Sequence, residues 1–88
     1  MAVSVASVVE SLNGRDKGNL LMVLKVEGEY LLLVDGKRRK VDHPKRKKAK
    51  HVADKGIKAD FEGPMTNKKI KACLKRINSS PESQDQRR

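Results

Sequence analysis

Up to about residue 52 the apolar residues come in short runs, and after Pro64 they return every three or four positions. The first pattern predicts strands. Val3–Leu12, rich in Val and Ser with no helix cap, reads as one. Leu20–Val26 is apolar except at Lys25, which suits a strand buried on both faces or a tightly curved barrel strand. A short turn at Glu27–Glu29 leads to a third strand, Tyr30–Val34. Asp35-Gly36 carries the sequence signature of a type I′ hairpin, predicting a fourth strand over Lys37–Val41 that Pro44 stops. Lys50–Val52 adds a short fifth. The segment after it reads as a loop, with Ile57 and Phe61 pinning it to the rest. The second pattern predicts a helix over about 66–77, because Ile70, Cys73, Leu74 and Ile77 form one stripe behind Thr66 as N-cap.

Short strands joined by tight turns predict a mainly β fold, a small, closed, five-stranded antiparallel barrel with a C-terminal α-helix. One domain is expected over residues 1–78, with the barrel at about 3–53 and a disordered polar tail at 79–88. A chain of 88 residues has a marginal core, burying only about 60% of its unfolded surface. Cys73 is the single cysteine, so no internal disulfide framework exists, and on the helix stripe it reads as a small apolar residue. Glu10 interrupts the apolar start and no basic leader precedes it, so neither a signal peptide nor a membrane span is expected. These features predict a cytoplasmic protein.

Charge changes the picture more than composition does. The net charge is +10, but residues 1–36 hold three basic and five acidic side chains. Residues 37–50 hold nine basic and one acidic, and residues 51–88 nine and five. Nine cations within fourteen positions repel one another, and their placement implies a densely anionic partner, nucleic acid before membrane. Lys68, Lys69 and Lys71 sit near the predicted helix start, where the macrodipole makes each cation unfavourable by roughly 0.3–1 kcal/mol. That placement hints at an external role.

Between the first two strands lies "LNGRDKGN", whose glycines Gly14 and Gly18 raise the question of a phosphate loop. Neither the Walker spacing nor the dinucleotide spacing fits, and a strand follows instead of a helix. The loop is therefore expected to turn the chain, with Asp16 bonding locally to backbone and Arg15 and Lys17 left exposed as contacts. No paired carboxylates, nucleophile–base arrangement or metal-ligand spacing is visible; the chain reads as non-enzymatic, with no cofactor and no metal site. Tyr30 and Phe61 are the only aromatic residues, too few to stack several bases, and Tyr30 reads as core. Phosphate and shape should then dominate, which favours folded RNA over a splayed single strand.

"VVESLNGRDKGNLLMVLKVEGEYLLLVDGKRRKV", followed by "PKRKKAKH", resembles the KOW motif of ribosomal proteins and transcription elongation factors. The blocks are similar to the archaeal and eukaryotic large-subunit ribosomal protein fourteen family and its bacterial relatives, over residues 3–53. The resemblance implies an SH3-like barrel and binding to ribosomal RNA of the large subunit, as a ribosomal or ribosome-associated protein. It makes Gly14, Arg15, Asp16, Lys17 and Gly18 the motif loop. Expected RNA contacts are Lys37, Arg38, Arg39, Lys40, Lys45, Arg46, Lys47, Lys48 and Lys50, with His51 added from its place in the basic region. The run after Pro44 is expected to be a loop that contributes nothing to the core. Relatives commonly carry a glycine where this chain has Ala6. The expected partners are structured RNA and ribosomal proteins, with a monomer when free and no membrane. A protein-docking role in the transcription or translation machinery, and non-specific DNA binding, remain the alternatives.

Overall fold

The computed structural model describes residues 3–61 and 63–78; the tail at 79–88 lies outside the described residues. Five strands, β1 (Ser7–Ser11), β2 (Leu20–Glu27), β3 (Tyr30–Val34), β4 (Lys45–Lys48) and β5 (Val52–Lys58), form one antiparallel sheet. The order is β4-β3-β2-β1-β5, and no ladder joins β4 to β5 among the described residues, so the sheet is not closed. Among the described residues one α-helix, α1 (Asn67–Asn78), completes the fold.

The continuous apolar pattern of β2 has a direct cause: both faces of the sheet are covered. One cluster combines Val8, Met22 and Val34 with Ile70, Cys73 and Leu74 of α1. The other combines Val9, Leu21, Val23, Leu31, Leu33 and Val52, all from strands. Among the described residues no α-helix packs on this second face, and the sheet bends around it. The bend can be gauged from Lys47 on β4, whose Nζ reaches Ser11 Oγ on β1 at 3.0 Å. In a flat sheet those strands, three steps apart, would be separated by about 14 Å. Register shifts at Val8/Val9 and at Val23/Lys25 supply irregularities that strands use to bend.

Four expectations are corrected. The first strand begins at Ser7, because Ala6 adopts φ +73° and breaks the extended run. Its N–H donates to Val23 O at 2.8 Å and its carbonyl accepts from Ala59 N–H at 2.9 Å, so the conformation is held from both sides. Asp35-Gly36 makes no two-residue hairpin, and Lys37–Val41 is not a strand. Instead Asp35 Oδ1 accepts the backbone N–H groups of Lys37, Arg38 and Arg39, each at 2.8 Å, closing a loop on itself. The strand paired with β3 is the basic run after Pro44, read from sequence as a loop. Finally, Lys50–Val52 is not the fifth strand. A 3-10 turn occupies Ala49–His51, and β5 then runs on to Lys58 through the supposed loop. Phe61 packs beside the helix cluster as expected, whereas Ile57 is exposed.

The helix follows its stripe. Thr66 Oγ1 accepts the Lys69 N–H at 3.2 Å, Ile70, Cys73 and Leu74 are buried, and Ile77 packs alongside. Its first turn sits directly on the loop after β3. A Cβ at Gly36 would collide with the Asn67 carbonyl and approach Lys71 N to 2.9 Å. Asn67 Oδ1 also accepts the Val41 N–H at 2.8 Å. Gly36 thus joins helix to sheet by the absence of a side chain, and its φ of +78° excludes a comfortable replacement.

Candidate nucleic-acid interface

The edge strand β4 divides the basic run by the two-residue period of a strand. Leu31 pairs with Lys47 and Leu33 with Lys45, which puts both lysines on the side of the strand-only core. Tyr30 pairs with Lys48 and Leu32 with Arg46, which puts Arg46 and Lys48 on the outside. Lys47 is only 9% exposed. Its Nζ donates to Ser11 Oγ, to the Asn13 carbonyl at 3.0 Å and to Asn13 Oδ1 at 3.1 Å, using all three N–H groups. Lys47, expected as an RNA contact, is instead a strut between β4 and the loop after β1.

Arg39, also expected as an RNA contact, is engaged within the protein. Its guanidinium donates to Asp16 Oδ2 at 3.0 Å, and the Asp16 side chain is only 4% exposed. The Asp16 carboxylate thus bonds across the fold to an arginine and not, as expected, to N–H groups of its own loop, where only its backbone carbonyl accepts the Asn19 N–H at 2.9 Å. The ion pair ties the loop after β1 to the loop after β3. Gly14 and Gly18 take φ of +77° and +85°, as a turning role requires, and leave Arg15 and Lys17 exposed.

Lys37, Arg38 and Lys40 remain exposed, as does Lys50; Lys45, Lys48 and His51 are half-buried. The His51 carbonyl accepts the Leu12 N–H at 3.0 Å. Lys37 and Arg38 line a groove of about 620 Å³ together with Lys71 and Lys75 of α1. Gly18, Asn19, Leu20 and Leu74 also line it. Asp35 is the single carboxylate of the lining, and its Oδ1 already holds three backbone N–H groups. The groove thus presents four exposed cations from two segments far apart in sequence.

Sequence alone marks Lys71 only as an oddly placed helix cation and leaves Lys75 unmarked. Lys71, Leu74, Lys75 and Asn78 recur at i, i+3, i+4 and i+7, a second stripe sharing Leu74 with the apolar one. That signal was legible; the loop that lines the groove with it was not.

Tyr30 is a further correction. It is half-buried, not core, and the Arg46 guanidinium carbon stands 3.8 Å from its ring centroid, with Lys48 Nζ at 5.8 Å. Among the described residues no group of three or more His, Cys, Asp or Glu side chains could hold a metal ion. No described helix is long and apolar enough to cross a membrane. Compared with known proteins, the chain matches no family model and no curated protein.

Proposed function

We propose that this chain is a non-enzymatic RNA-binding protein, a five-stranded SH3-like barrel of the KOW type that docks its cations on folded RNA. Large-subunit ribosomal RNA is the proposed target, met as a ribosomal or ribosome-associated protein in the cytoplasm. The observation that carries the reading is the groove: Lys37, Arg38, Lys71 and Lys75 line it against one carboxylate, Asp35, whose Oδ1 holds three backbone N–H groups. Such a trough suits a phosphate backbone, where charge density is high and contacts need not read bases. The arginine offers a planar fork for phosphate oxygens and the lysines act as point charges. The strong curvature of the sheet around the strand-only core supports the barrel assignment.

Sedimentation of the full chain with the large ribosomal subunit tests this reading. Co-sedimentation in moderate salt that survives excess duplex DNA is the expected result. Release by duplex DNA would replace RNA recognition with general polyanion binding. Association that persists after nuclease treatment would favour a protein-docking role.

A further inference from the structure

The outer face of β3 and β4 carries a stacked pair apart from the groove. Tyr30 and Arg46 are diagonal neighbours across the ladder, since Tyr30 pairs with Lys48 and Leu32 with Arg46. The 3.8 Å from guanidinium carbon to ring centroid is van der Waals contact, well inside the roughly 6 Å reach of a cation–π interaction. At that distance the guanidinium covers the ring. Arg46 is exposed, no carboxylate forms an ion pair with it among the described residues, and β4 is an edge strand. Glu27, directly across the other ladder from Tyr30, is engaged by Lys25 at 3.6 Å.

We infer that the Tyr30–Arg46 stack is a platform for one unpaired nucleobase, which lies on the outer face of the guanidinium while Lys48 meets the adjoining phosphate. The inference rests on the RNA-binding reading and adds a base contact to a phosphate contact. Stacking needs a flat, weakly hydrated surface already held in place, and a guanidinium resting on a phenol ring is one. An arginine fixed by the ring loses less rotamer freedom on binding than a free side chain would. A single platform takes a single base, so the ligand is a folded RNA with a short unpaired segment.

Two hairpin RNAs with the same short single-stranded 3′ tail, one with bases in the tail and one with abasic sugars, differ in stacking at equal phosphate count. The full-length wild type should bind the base-bearing RNA about tenfold more tightly. Because Tyr30 is the only tyrosine and no tryptophan is present, intrinsic fluorescence reports on this platform alone. It should change with the base-bearing tail and not with the abasic one. Arg46→Lys keeps the charge and removes the plane, and should equalise the two affinities while the protein melts as wild type does. Equal wild-type affinities for the two RNAs, or a preference that survives Arg46→Lys, would overturn the platform and leave RNA binding through the groove intact. Absence of binding to both RNAs would overturn the two readings together.

Discussion

Arg46 and Lys47 are adjacent, carry the same charge and belong to the same strand, yet they occupy different worlds. Lys47 points inward and closes a polar contact between β4 and the loop after β1; Arg46 points outward and rests on Tyr30. The loop after β3 repeats the division. Arg39 is drawn in to Asp16, while Lys37 and Arg38 line the groove. A basic run is therefore not one functional unit. Alternation along a strand and the reach of a single carboxylate divide it into struts and contacts, and only the second class is available to a ligand.

The largest effect should come from the joint between α1 and the loop after β3, which line the groove together. Gly36→Ala meets the backbone of α1 and keeps an unfavourable φ, so it should cost about 3 kcal/mol or more in denaturant unfolding. Gly18 has a similar φ but no neighbour within 4 Å of a built Cβ, so Gly18→Ala should cost only about 1 kcal/mol. Equal losses at the two glycines would mean that the helix does not press on the loop.

Next come the struts. Arg39→Gln leaves the buried Asp16 carboxylate without its cation and should cost about 2–3 kcal/mol, less than a fully buried pair because Arg39 keeps some exposure. Lys47→Gln should cost about 1–2 kcal/mol through lost hydrogen bonds. Thermal melts of both variants beside Lys37→Gln and Arg38→Gln would break the comparison if all four behaved alike. The outward pair should shift stability by less than about 0.5 kcal/mol.

A smaller change, of opposite sign, belongs to Ala6. A residue with a Cβ at φ +73° is strained by about 1–2 kcal/mol, partly offset by the unfolded-chain entropy of glycine. Ala6→Gly should therefore raise stability by about 0.5–1 kcal/mol. A loss of stability would show that the strain is not present.

The sequence made the β-rich class, the apolar β2 and the helix stripe legible, because each depends on local period. It misplaced β4 because "KRKK" has low strand propensity and no apolar residue to reveal its faces. Pairing with Leu31 and Leu33 decides the inward side, and that is a long-range fact. The Asp35-Gly36 signal was read as a hairpin because its alternative depends on a helix some thirty residues later, which packs against Gly36. The cations at 37–38 were legible as exposed charge, whereas their meeting with Lys71 and Lys75 at one groove required the fold. Removing Lys45, Arg46, Lys47 and Lys48 together would take out the buried, hydrogen-bonded Lys47 with the rest and confuse stability with binding.

The cleaner substitution takes only groove cations. Lys37, Arg38, Lys71 and Lys75 are all exposed, so replacing the four with Gln should leave the melt nearly unchanged. Titration of wild type and this variant against one folded ribosomal RNA fragment at several salt concentrations measures their share of phosphate contact. The variant should bind more weakly by orders of magnitude at moderate salt, and its log–log salt slope should be shallower by about 3. Equal affinities and equal slopes, from a variant that is still folded, would contradict the groove as the RNA-binding site.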